Sequence, residues 1–191
     1  MPTRRMHPVT TAALAATACA ILAGCGLGEP DAGATRRFEP DGFGITFQYP
    51  FALTEKALRG SGDPAGDSAG DSGAGLPDGV VRELTLTDDD FIAVRRDHAD
   101  PALLASGMDA VRPEVDQLAK VLDAHVGPSR PITVGGMPGV EYLDSGTDAQ
   151  QRFLFFLGRD VIYLVHCKST QKHTAEMAAA CELVRRTLRR A

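Results

Sequence analysis

The sequence of 191 residues predicts an α+β domain built on an antiparallel β-sheet. Three features carry this expectation. Short stretches of alternating apolar and polar residues are separated by turn-forming residues, as half-buried strands require. Two later stretches, 152–157 and 161–167, are apolar in both alternating sets, as central strands covered on both faces are. Two helical stripes with steps of three and four flank those strands in the chain.

Phe43, Ile45, Phe47 and Tyr49 alternate with Gly44, Thr46 and Gln48, which predicts a strand with one apolar face stopped by Pro50. Residues 61–75 are almost wholly Gly, Asp, Ser, Ala and Pro and read as a disordered loop inside the domain. Strands over 81–87 and 91–95 form a hairpin, with Asp88, Asp89 and Asp90 crowding the turn, where their charge stays solvated. Asp100 offers an N-cap, and Pro101 suits the first helical position because its missing N–H costs nothing there.

Leu104, Met108, Val111, Val115, Leu118 and Leu122 then form one stripe across Gly107 and Pro113, which kink or divide the helix. Strands follow at 132–134, 140–143, 152–157 and 161–167. In the last two, Phe153, Phe155 and Leu157 oppose Leu154 and Phe156, while Tyr163 and Val165 oppose Ile162 and Leu164. A final helix from about residue 174 packs Met177, Cys181, Val184 and Leu188 on the sheet.

The N-terminal stretch reads as an export signal over 1–24. Arg4 and Arg5 form a positive n-region, and Val9 to Gly24 carries no charge. It is shorter than the roughly 20 apolar residues of a membrane span and is rich in Ala and Thr. Leu22-Ala23-Gly24-Cys25 resembles the lipobox of bacterial lipoproteins, in which the cysteine takes a diacylglyceryl group and becomes the new N-terminus. An ordinary secretory signal cut near Ala20 is the alternative.

Residues 25–36 then read as a flexible tether and 37–191 as a single domain. The expected location is the outer face of a bacterial cell membrane, held by lipidated Cys25. The net charge of −5 becomes more negative once Arg4 and Arg5 leave with the signal, which argues against nucleic acid as a partner.

Asp41-Gly42-Phe43-Gly44-Ile45-Thr46-Phe47-Gln48-Tyr49-Pro50 is similar to the opening Gly-Phe strand, ending in Tyr-Pro, of the PsbP-like superfamily. Val134-Gly135-Gly136-Met137-Pro138-Gly139-Val140-Glu141-Tyr142, Gly158-Arg159-Asp160-Val161-Ile162-Tyr163 and the cysteine of the last helix extend the likeness over nearly the whole mature chain. The LpqN type of bacterial lipoprotein resembles it most. Where the family usually carries a Trp after Tyr-Pro, this chain reads Phe51-Ala52-Leu53. The resemblance implies an antiparallel sheet sandwiched between helices on both faces, used for protein contacts and assembly support. It implies no shared catalytic residues and no cofactor.

Cys167 and Cys181 remain in the domain, and an oxidising compartment favours a disulfide between them. Two buried free thiols are the alternative. A zinc site of His166, Cys167, His173 and Cys181 is disfavoured because His166 and Cys167, as strand neighbours, point to opposite faces.

Gly66-Asp67-Ser68-Ala69-Gly70 and Gly70-Asp71-Ser72-Gly73 match hydrolase nucleophile patterns, but they lie in a low-complexity loop without the strand and helix that hold such a serine. The aspartates there lack the ligand spacing of a calcium loop. Arg185, Arg186, Arg189 and Arg190 cluster at the end of the last helix. They are a candidate contact patch for lipid headgroups or an acidic partner, with compensation of the helix dipole as the plainer reading. Asp97-His98 with Asp100 reads as a solvated loop before a helix.

The expected function is therefore that of a non-catalytic lipoprotein which binds or supports an envelope protein or lipid. A small-ligand or lipid carrier is the alternative, and a serine hydrolase using Ser68 or Ser72 the more remote one.

Overall fold

The computed structural model describes residues 33–58, 79–123, 126–145 and 149–191. The expected signal segment, Cys25 and the serine-containing loop lie outside them. Two antiparallel sheets organise the described residues. The smaller has the order β1 (Thr35–Phe38), β2 (Ile45–Pro50) and β10 (Arg189–Arg190). The larger starts with β3 (Thr54–Leu58), β4 (Val80–Thr85) and β5 (Phe91–His98), continues through β9 (Val161–Thr170) and β8 (Ala149–Leu157), and ends with β7 (Met137–Ser145) and β6 (Arg130–Val134).

The pleat explains why β8 and β9 are apolar throughout. Leu154 and Phe156 join Tyr163 and Val165 in one core cluster, while Phe153, Phe155 and Leu157 join Leu164 in another. Leu154 faces Val165 and Phe155 faces Leu164 across the ladder, so both cores run through one register. The first cluster also takes Ile45, Phe47 and Tyr49 of β2 together with Met177, Ala180, Cys181 and Val184 of α3 (Thr174–Thr187). The second takes Leu104 of α1 (Pro101–Ala105) and Met108, Val111, Val115 and Ala119 of α2 (Met108–Leu122).

Asp100 caps α1 by accepting from the Ala102 amide at 2.8 Å. The two predicted helix breakers act differently. Gly107, at φ 82°, separates α1 from α2, a conformation that glycine adopts at little cost. Pro113 sits exposed inside α2 without ending it.

Several elements depart from the sequence expectation. β1 begins at Thr35, inside the stretch expected as tether, because Thr35 to Phe38 pair with Pro50 to Phe47 and Arg36 covers the Phe51 ring at 3.8 Å. β2 ends at Pro50, which it includes as its last residue. Most other strands run past their apolar pattern, since backbone pairing continues into polar residues such as Gln150 and Gln151.

Asp90 is only 1 % exposed rather than solvated. It accepts from the Thr170 amide at 2.6 Å, the Thr170 hydroxyl at 2.9 Å and the Thr87 hydroxyl at 2.6 Å. Burial alone would raise its pKa, but those hydrogen bonds outweigh it and hold the carboxyl below its ordinary value. Asp97 lies on β5 and not in a loop. Its two oxygens are each 2.8 Å from Arg95 Nε, and burial pushes its pKa up against that pairing.

Candidate functional site

Strand β9 and helix α3 meet where Cys167 and Cys181 face each other, and the two sulfurs are bonded with Cα atoms 6.2 Å apart. His166 is on the other face of β9, stacked on Phe153 with ring centroids 4.3 Å apart. Its Nε2 lies 2.9 Å from Gln151 Oε1, and Gln151 donates to Asp123 at 2.6 Å. Burial lowers the His166 pKa to about 4, helped by the charge of Lys168 and opposed by Asp123, so the ring is neutral at pH 7. Being neutral and facing the oxygen of Gln151, the ring carries its proton on Nε2 and donates it.

A charged chain runs beside the disulfide. Glu141, 6 % exposed, is 2.6 Å from Arg152 Nε and 2.8 Å from Arg130 Nη2. Arg152 reaches on to Glu182 at 3.5 Å, and Glu182 takes two contacts from Arg185, at 2.6 and 2.8 Å. The hydrogen bond from Arg185 holds the Glu182 carboxyl below its ordinary range, with burial acting against it. A buried carboxylate is tolerable here because two guanidiniums compensate it.

This chain redraws the basic patch expected from sequence. Arg185 is committed to Glu182, whereas Arg186 is 3.9 Å from the same carboxylate and 66 % exposed. Arg189 and Arg190 are not on the helix. They form β10, paired with Thr46 and Ile45 of β2, because α3 ends at Thr187 and buried Leu188 turns the chain back. The turn at Gly135 receives that return. A Cβ there would come within 2.5 Å of Leu188 O, and φ is +56°.

The rearrangement creates a polar pocket of 330 Å³ lined by Arg37, Thr46, Gln48, Arg186, Thr187 and Arg189, with Phe47 and Leu188 in its wall. Arg37 comes from β1, Arg189 from β10 and Arg186 from α3, so three separate elements each supply a guanidinium. Arg37 Nε donates to Thr46 Oγ1 at 2.9 Å, and the Gln48 amide donates to Thr187 Oγ1 at 2.9 Å. Arg37 was not singled out in the sequence, where it stands at the edge of a low-complexity stretch. Only the pairing of β1 and β10 on either side of β2 brings it to the others.

Among the described residues, a groove of 530 Å³ runs between Thr35, Pro50 and Phe51 on one side and Glu176, Ala180 and Leu183 on the other. A smaller one, 280 Å³, lies beside Tyr142, whose hydroxyl donates to Asp116 Oδ1. Burial, together with that carboxylate, pushes the Tyr142 pKa far above its ordinary value, so it stays a donor. Ser68 and Ser72 cannot be placed against these groups, because they lie outside the described residues. No helix among those residues is long and apolar enough to cross a membrane.

No family model matches the chain, and no curated protein matches it in sequence. Solved structures superpose on the chain to different extents. The solution structure of cyanobacterial PsbP (CyanoP) from Synechocystis sp. PCC 6803 superposes with a TM-score of 0.58 at 9% identity, covering 86% of this chain and 99% of that one. A protein from Bacteroides thetaiotaomicron gives a TM-score of 0.48 at 12% identity over 81% of this chain and 48% of its own. A protein of unknown function from Pseudomonas aeruginosa gives 0.36 at 14% identity, over 78% and 92%.

Proposed function

We propose that the described domain, which has a PsbP-like fold, mixed α/β with mostly antiparallel strands, is the displayed part of a lipid-anchored lipoprotein of the LpqN type, exported and held at the outer face of a bacterial cell membrane, which binds or supports an envelope component without catalysis. The observation that carries this reading is Leu22-Ala23-Gly24-Cys25, placed about ten residues ahead of β1. That spacing spans at most about 35 Å when extended, enough to join a bilayer to a folded domain and short enough to keep the domain beside it.

Two further observations support it. The Cys167–Cys181 bond suits an oxidising compartment. One core cluster groups α3 with one apolar set of β8 and β9, and the other groups α1 and α2 with the opposite set, which supports the helix–sheet–helix sandwich implied by the PsbP-like resemblance. Two groups of polar side chains, His166–Gln151–Asp123 and Tyr142–Asp116, bond one another, an arrangement suited to holding shape.

Fractionation of expressing bacteria tests the reading. The wild-type chain is expected in the membrane fraction, and Cys25→Ser is expected to be exported and recovered in soluble form. Equal membrane retention of both would remove the lipid anchor.

A further inference from the structure

The pocket of Arg37, Arg186 and Arg189 is a local reversal of charge in a chain whose net charge is −5. Its arginines are weakly committed. Arg37 meets both oxygens of Glu39, at 3.0 and 3.1 Å, and donates to Thr46, but Arg37 and Glu39 are about half exposed, so the ion pair contributes little. Arg186 is left with a 3.9 Å contact, because Glu182 is already taken by Arg185. Arg189 is exposed beside Thr46.

Three guanidinium forks suit a tetrahedral oxyanion with several acceptor oxygens, while the Gln48 amide and the Thr187 hydroxyl, engaged with Thr187 Oγ1 and the Leu183 carbonyl, hold the floor of the pocket in place. The carbonyls at the end of α3 oppose an anion, but those of Leu183 and Val184 are engaged by the Thr187 hydroxyl and the Leu188 amide.

The pocket's position selects among sources of that oxyanion. Ile45, Phe47 and Tyr49 of β2 point into the core, so Thr46 and Gln48, with Arg37 and Arg189 on either side, make up the outer face of the smaller sheet. Thr35 opens the same β1 that carries Arg37, so the sequence that follows Cys25 leads into the sheet that bears the pocket.

We propose that this pocket is a subsite for the phosphate groups of anionic membrane lipids, seating the outer face of the three-stranded sheet on the bilayer. The proposal rests on the lipoprotein reading for its orientation, but binding itself does not require the acyl chains. Near an anionic surface each arginine is worth about five-fold in affinity, so the three together give on the order of a hundred-fold.

The test uses the full chain carrying Cys25→Ser, so that no acyl chain contributes, in sedimentation with vesicles of phosphatidylcholine alone or with phosphatidylglycerol added. The parent is expected to bind the anionic vesicles and to lose binding as salt is raised. Arg37→Gln/Arg186→Gln/Arg189→Gln is expected to bind on the order of a hundred-fold more weakly. Arg159→Gln/Lys120→Gln/Lys172→Gln, which removes equal charge from exposed positions elsewhere, is expected to lose only a few-fold.

Arg186→Gln/Arg189→Gln, changing two exposed side chains, keeps the test decisive if the triple variant folds poorly, with a loss of about twenty-five-fold expected. Equal losses in the pocket and control variants, or no binding by the parent, would overturn the proposal. In a parallel arm, inorganic phosphate is titrated at constant ionic strength while the arginine Nε–H resonances are followed. Saturation there at an affinity matching the vesicles would assign the pocket to free phosphate and overturn the headgroup source. Because every arm carries Cys25→Ser, failure here leaves the lipid anchor standing, and failure of the anchor leaves this binding measurable.

Discussion

The two core clusters of the domain are fastened differently. On the α3 side, a disulfide, the Arg130–Glu141–Arg152–Glu182 chain and the three-stranded sheet bind helix to strand. On the α1–α2 side, apolar packing is supplemented by hydrogen bonds from Tyr142 to Asp116 and from Gln151 to Asp123. The α3 side also carries the arginine pocket, so the lipid-contact surface proposed above is mounted on the more firmly held half. The difference implies that the α1–α2 layer opens first and that the two sides answer to different chemical insults.

Reduction, or Cys167→Ala/Cys181→Ala, tests the first side. The cysteines are 14 residues apart, and opening a loop of about 15 residues costs about 3 kcal/mol in the chain-entropy model. The urea midpoint should fall accordingly, with faster amide exchange in α3 and little change in α2. Equal acceleration in both helices would erase the distinction.

Acid tests the other side. The unfolded chain protonates His166 near 6.5 and the folded chain only near 4, so between those values the unfolded state binds more protons. This contribution to stability is level above about pH 7, falls as the pH drops through 6.5, and is lowest below 4. At pH 5 it amounts to about 2 kcal/mol of destabilisation. His166→Phe, which keeps a ring on Phe153 but takes the hydrogen-bond partner from Gln151 Oε1, should start less stable and show a flatter acid limb in denaturation curves between pH 5 and 7. An unchanged limb would assign the acid sensitivity to other groups. Tyr142→Phe should cost about 1 kcal/mol through loss of the bond to Asp116, read as a small drop in urea midpoint and faster exchange in α2.

Much of this architecture was legible because burial writes a periodic record. The doubled apolar pattern of 152–157 and 161–167, the stripe through Val111 and Val115, and the approach of Cys167 to Cys181 all follow from which side chains leave water. What escaped were elements made by pairing alone. β3 carries Thr54, Glu55 and Lys56 exposed at a sheet edge, and β10 is two arginines that become a strand only because β2 offers an open edge. Asp90 escaped because a charge in a turn signals solvation unless its hydrogen-bond partners, here 80 residues away at Thr170, are known. For the same reason the basic patch was drawn along the helix, whereas folding removes Arg185 into an ion pair and adds Arg37 from the far end of the domain.

The claim on which orientation and function both depend is the modification of Cys25, and intact and peptide mass spectrometry of the wild-type protein purified from bacterial membranes addresses it directly. The account predicts a chain that starts at Cys25 and carries the added mass of a diacylglyceryl group on its sulfur, with no such species from Cys25→Ser. An unmodified Cys25 thiol, or a chain that still retains residues 1–24, would contradict it.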